Sequence, residues 1–287
     1  MVAILGFVSA VVYGASDFLG GLASRRMSAL LASFLGFVVA AVVSAVAVLI
    51  EQPVWSTDAV VLGALAGVAG SVGTWALYAC LAIGPMSVLS PGVAAIYAIL
   101  PAVVGIVLGE RFPPVGYAAL LVAVVAGILL AATPESGQGR RPSGRGLAYA
   151  ALSGVAFAGY IIAIDATPAE SGLVPLLVDL LVGGLLFVAA LVWGRIRRGP
   201  AELAGLRDRR AVLLAVVAGA LLVAGNIMLV VGLHLGDLAV MAVLNSLYPL
   251  GTVLLAIVLL RERLTVLQGV GIGLAIAAAV TLSVVTA

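Results

Sequence analysis

Ten apolar stretches of about twenty residues follow one another along the chain, over 2–24, 28–50, 58–83, 86–109, 115–133, 146–166, 172–194, 211–234, 238–260 and 265–286. Short breaks of Gly, Pro and charge part them. A helix of that length spans a hydrocarbon core about 30 Å thick, because each residue adds about 1.5 Å. Hydrophobic residues make up 64% of the chain and charged residues 9%, with a mean hydropathy of +1.32, whereas soluble domains carry roughly 25% charged residues. The sequence therefore predicts an all-α polytopic membrane protein with lipid as its solvent. Its net charge of +2, carried by Arg with no Lys, is too small to suggest a nucleic-acid partner. The single Cys80 leaves no intrachain disulfide and no cysteine spacing suited to a metal. The first run lacks a charged leader region and continues past signal-peptide length, so it reads as a retained first helix.

Residues 133–145, TPESGQGRRPSGR, form the one clearly hydrophilic interruption near the middle. They divide the chain into a first five-helix repeat at 1–133, a polar linker at 134–145 and a second five-helix repeat at 146–287. A second polar stretch at 195–210 is open to two readings, a short amphipathic surface helix through AELAGLRDRR or a solvated loop. The halves resemble each other: at an offset of 152 residues Gly73 meets Gly225, Gly84 meets Gly236, and LGERF at 108–112 meets LRERL at 260–264. Five crossings leave the chain on the far side, so the second copy must insert inverted. The Arg residues follow that rule. Thirteen of the fourteen fall in odd-numbered loops and only Arg111 in an even one, which puts odd loops in the cytoplasm and both termini outside.

YGASDFLGGLASRR at 13–26, YACLAIGPMSVLSP at 78–91 and the Glu-Arg pairs closing the fourth and ninth helices resemble the EamA-type transporters of the drug/metabolite transporter superfamily. The resemblance implies ten helices as two inverted repeats and an inner-membrane secondary carrier of small metabolites or drugs, often an exporter. It further implies a central cavity bounded mainly by the third, fourth, eighth and ninth helices, and names no substrate. Family members are often assigned cytoplasmic termini, and the Arg bias departs from that. The partners expected are the lipid bilayer, a small-molecule substrate and protons, for a monomer or a homodimer. No catalytic residue, cofactor or metal is expected.

Asp17 is the sharpest single residue, since a charged side chain near a helix centre costs about 2.5–3.5 kcal/mol on insertion scales. Gly6, Ala10, Tyr13, Gly14, Gly20, Gly21 and Ser24 share its helix face, while Leu5, Val8, Val11, Val12, Phe18, Leu19 and Leu22 lie opposite. Small residues let helices approach closely, so that face points at protein or a cavity. Two roles are open to Asp17, a proton-coupling or cation-pairing carboxylate, or a structural acid hydrogen-bonded to Tyr13 or snorkelling toward Arg25.

On the third helix Gly67, Gly70, Ser71, Thr74 and Tyr78 share one face, with Trp75 beside it. Tyr97 adds a polar group to the fourth helix, where Pro91 and Pro101 remove backbone donors. Asn226 aligns with Thr74 under the repeat, and Asn245, Tyr248 and Thr252 form a stripe on the ninth helix next to Pro249. Ser71, Thr74, Trp75, Tyr78, Tyr97, Asn226, Asn245 and Tyr248 are the substrate-cavity set; plain interhelical hydrogen bonding is the alternative, worth about 0.6 kcal/mol per bond. Asp179 and His234 are weaker candidates, the first with bulky neighbours and the second at a helix end beside Asp237. Glu110 with Arg111, and Glu262 with Arg263, read most simply as interfacial ion pairs. A channel would show a ring of like groups or a carbonyl filter; an intramembrane enzyme of lipid or peptide substrates is disfavoured because no HExxH and no paired aspartate motif is present and a Ser–His dyad would have to use His234 at a helix end.

Overall fold

The structure, a computed structural model, describes residues 1–83, 86–131, 143–198, 205–260 and 265–285, with only the backbone described at 78–83, 86–88, 90, 91, 198, 256 and 260. Among the described residues eleven α-helices follow in order: α1 Val2–Ser24, α2 Ala29–Glu51, α3 Thr57–Ile83, α4 Met86–Leu108, α5 Pro114–Ala131, α6 Gly144–Asp165, α7 Val174–Arg198, α8 Arg209–Leu235, α9 Leu238–Asn245, α10 Pro249–Leu260 and α11 Val266–Val285. Among the described residues nine helical stretches are long and apolar enough to cross a membrane, with Leu238–Leu259 counted as one. The described apolar part of α4, Gly92–Leu108, is shorter. The chain is an all-helical, multi-pass membrane protein.

Local chemistry sets the helix ends. Ser28 accepts from the Leu31 N–H, Ser56 from Ala59 and Ser143 from Gly146, each filling one of the donors that a helix start leaves open. Asp208 accepts from both Arg210 and Ala211, and the Ala211 N–H foremost holds its carboxyl below the usual range. α4 ends at Gly109, whose φ of +119° lies where glycine is favoured.

Two expectations change, and one open reading is narrowed. The ninth apolar stretch is two helices, because Pro249 offers no N–H and disfavours helical geometry at Tyr248, so the chain turns at 246–248 before α10. In the polar stretch at 195–210, left open between a surface helix and a loop, residues 205–207 form a single 3₁₀ turn and Asp208 caps α8; residues 199–204, and 132–142 of the connector, lie outside the described residues. Arg111 pairs with backbone rather than Glu110, donating to the Ile106 and Glu110 carbonyls. Glu110 is engaged elsewhere, and Glu262 and Arg263 lie outside the described residues.

The helices pack mainly across the two halves. α1 lies on α8 and α3 on α6; α2 lies on α8 and α3 on α7; α4 lies on α6, and α9 and α10 lie on α1; α5 lies on α11. Each of these pairs has its counterpart when the halves are exchanged. Glycines make the contacts close. A Cβ at Gly219 would sit 2.8 Å from the Gly36 Cα, and one at Gly67, at the same offset of 152, would sit 2.7 Å from the Asp179 carbonyl. Gly73 and Gly225, again 152 apart, each face an aromatic ring of the other half, Phe157 and Tyr13. Bulky residues such as Val42, Leu49, Val107 and Val284 are exposed instead, as a lipid solvent allows. The most deeply buried segment runs from α9 into the turn, where residues 238–247 are nowhere more than 3% exposed.

Candidate functional site

A cavity of about 170 Å³ lies among α1, α2, α3, α4, α6, α7, α8 and the α9–α10 turn. Eight lining residues come from each half, so neither half forms it alone.

Its wall is built from two asparagines and four tyrosines. Asn226 Oδ1 accepts from the Tyr13 and Tyr160 hydroxyls, the second at 3.1 Å. Asn245 Oδ1 accepts from Tyr97 at 2.7 Å, its Nδ2 donates to Ser9 Oγ at 2.8 Å, and Ser9 donates in turn to the Gly6 carbonyl. These relays hold α1, α4, α6, α8 and α9 in register. Thr74 donates to the Gly70 carbonyl one turn back. Phe37 and Phe157 add apolar faces, and Phe157 meets Tyr97 edge-on at 6.3 Å.

Two carboxylates line the cavity. Asp17 is exposed to it and has no hydrogen-bond partner among the described residues; Tyr13, its expected partner, is bonded to Asn226. The small face that carries Asp17 packs through Gly6 and Gly14, yet Gly20 and Gly21 have open space beside them. Asp179 lines the same cavity at 4% exposure, within hydrogen-bonding reach of Tyr160.

Of the residues singled out from sequence, the cavity gathers Asp17, Thr74, Tyr97, Asp179, Asn226, Asn245 and Tyr248. Ser71 is buried behind the wall with its hydroxyl unpartnered. Trp75 is 53% exposed on the outer surface, where its ring meets Tyr149 edge-on, because it points off the glycine face of α3. The Tyr78 side chain lies outside the described residues. Thr252 donates to the Gly14 carbonyl and serves packing. His234 is away from the cavity. The Thr167 hydroxyl gives its one proton to the Ile164 carbonyl, so His234 Nε2–H is the donor in their 3.1 Å contact. Sequence reasoning missed Phe37, Phe157 and Tyr160. Ser153, Phe157 and Tyr160 recur at i, i+4 and i+7 on α6, a stripe that could have flagged the helix.

At the end formed by the even-numbered loops, carboxylates of the first half cap helices of the second. Glu110 accepts from the Leu238 N–H at 2.6 Å and the Ala239 N–H at 3.0 Å at the start of α9. Glu51 accepts from the Leu173 N–H just before α7. Val54 N–H donates to the Glu170 carbonyl, and the Ser56 and Ser171 hydroxyls lie 3.1 Å apart. Burial pushes the Glu110 carboxyl above its usual range despite the two N–H donors that pull it down, and Asp237 nearby adds to the rise. At the opposite end the halves meet through the exposed Arg26–Asp208 pair, at 3.2 Å, and through Gly205 against Met27.

A search of the curated proteins gives no match. A solved crystal structure of a protein is similar over 99% of this chain and 98% of its own, with a TM-score of 0.74 and 19% identity, a likeness of fold alone. The sequence model of the EamA-like transporter family matches residues 144–284, starting two residues before the second repeat expected from sequence. Those residues make up the second half of the chain, which carries an EamA-like transporter family domain.

Proposed function

We propose that this protein is a secondary carrier of the inner membrane that exports a small metabolite or drug by alternating access between two inverted five-helix halves. The observation that carries the reading is the shared cavity, lined equally by both halves and closed at one end by contacts between them. Exchangeable packing pairs and glycine contacts at a common offset of 152 support the inverted repeat. An odd number of crossings per copy makes ten in all and lets either half rock against the other around a fixed site.

On this reading the even-loop end is closed in this structure. The Arg bias puts the odd loops in the cytoplasm, so the closed end faces outward and Met1 lies outside. The buried α9 across the closed end opposes a channel, which would need a continuous water path. Asp17, unpartnered at the cavity, carries the coupling proton.

Counterflow across a panel of metabolites in proteoliposomes, with and without an imposed pH gradient, tests the carrier. Exchange that responds to the gradient in the wild type, and not in Asp17→Asn, is the expected result. A folded Asp17→Asn protein with unchanged pH dependence removes the coupling role, and no exchange of any class of compound removes the carrier.

A further inference from the structure

The cavity is rich in acceptors and poor in donors. Asp17 and Asp179 are its carboxylates, and among the described lining residues there is no Arg or His. Four of the wall's hydroxyls are spent inside it: Tyr13 and Tyr160 on Asn226, Tyr97 on Asn245, Thr74 on Gly70. The Asn226 amide N–H₂ is left as a neutral donor against two acids.

A broken helix could supply backbone N–H groups for an anion, as discontinuous helices do in other transporter folds. The α9–α10 turn does not. Ser246 N–H is bonded to the Ala242 carbonyl, Leu247 to Leu244, Tyr248 to Asn245, Leu250 to Leu247 and Gly251 to Tyr248. Pro249 has no N–H to give. A substrate carboxylate in this cavity would therefore meet two acids and no free N–H from the α9–α10 turn.

The remaining wall suits a cation. Tyr13, Phe37, Tyr97, Phe157, Tyr160 and Tyr248 surround the space with aromatic rings, whose faces attract ammonium groups most strongly where water is excluded. Two carboxylates without a basic neighbour complete the complement.

We propose that the cavity takes a small organic monocation with an apolar body, held by Asp17 and the aromatic wall, and rejects amino acids and other carboxylates. This rests on the carrier reading above.

Three probes of similar body separate the outcomes: phenyltrimethylammonium, whose charge is permanent, the zwitterion phenylalanine, and the anion 3-phenylpropionate. In counterflow with the full-length protein, phenyltrimethylammonium is expected to exchange and the other two to fail at equal concentration. Asp17→Asn should weaken phenyltrimethylammonium at least about tenfold in apparent affinity, equivalent to about 1.4 kcal/mol, while Asp17→Glu retains exchange. Asp17 has no hydrogen-bond partner among the described residues, so its replacement should leave a monodisperse protein; the three-probe comparison on the wild type stands without it. Exchange of phenylalanine or phenylpropionate in place of the cation overturns the substrate class and leaves the carrier intact. Unchanged phenyltrimethylammonium affinity in Asp17→Asn overturns the role of Asp17. Exchange of none of these and of no other metabolite overturns both readings.

Discussion

Gly14→Ala is expected to part α1 from α10 and lower the protein's thermal stability sharply. An added Cβ would sit 2.7 Å from the Thr252 nitrogen, 2.8 Å from the Gly251 Cα and closer still to the Tyr248 carbonyl oxygen. All three are backbone atoms that no rotamer change can move. Overpacking a core costs about 1–3 kcal/mol even where side chains can adjust, so the cost here lies at or above the top of that range. The Thr252 hydrogen bond to the Gly14 carbonyl would be lost with it. Gly20→Ala, six residues along the same helix with nothing within 4 Å of its Cβ, is the control. It should be neutral or stabilise by up to about 1 kcal/mol through helix propensity. Thermal unfolding in detergent, read by size-exclusion chromatography, should show opposite shifts for the two variants. Equal shifts would mean that α1 and α10 do not meet in this way.

Glu110→Ala is expected to loosen the even-loop end. Without the carboxylate, the Leu238 and Ala239 N–H groups that open the buried α9 have no acceptor. An unsatisfied buried donor costs about 1–3 kcal/mol, enough to shift a balance between closed and open forms by on the order of tenfold or more. A cysteine at Ala242 in a Cys80→Ala chain should then react faster with an impermeant maleimide applied to that end.

The same carboxylate gives the closure a pH dependence whose sign follows from burial. Burial raises the Glu110 carboxyl above its range in water, and the Asp237 carboxyl, raised by burial as well, lies beside it. The closed form thus holds the Glu110 proton more tightly than an open, hydrated one. Its contribution to closure is present at low pH and lost as pH rises through the raised carboxyl range. Glu110→Gln keeps an acceptor oxygen and should flatten the Glu110 part of this dependence. An unaltered profile would assign it to other groups.

Most of the helices were legible in the sequence because in lipid the apolar run is itself the span. The expected 2–24, 86–109 and 211–234 became Val2–Ser24, Met86–Leu108 and Arg209–Leu235. The break in the ninth stretch was less so. Pro249 announces a bend, but Pro101 lies inside an unbroken α4, so a proline by itself does not say which outcome packing will choose. Seven of the sequence-chosen residues share the cavity because polar groups in apolar helices stand out. Tyr160 and Phe157 did not stand out, since aromatic rings suit lipid and cavity equally. The resemblance directed attention to four helices, whereas α1, α2, α6 and α7 also line the space. The Glu110 cap could not be read locally. Its partners lie 128 and 129 residues away, and an adjacent Arg111 offered a simpler pairing that the backbone carbonyls took instead.

Alternating access requires that the cavity reach the outer face only when the even-loop end opens. Ser56 and Ser171, whose hydroxyls lie 3.1 Å apart across the two halves, allow that end to be locked. In a Cys80→Ala chain carrying Ser56→Cys, Ser171→Cys and a reporter cysteine in place of the cavity residue Thr74, an impermeant maleimide is applied to intact cells. The reporter should be labelled from outside while the pair is reduced, protected once the pair is oxidised to a disulfide, and labelled again on reduction. Labelling from outside that continues at the same rate with the disulfide formed would contradict a carrier closed at that end.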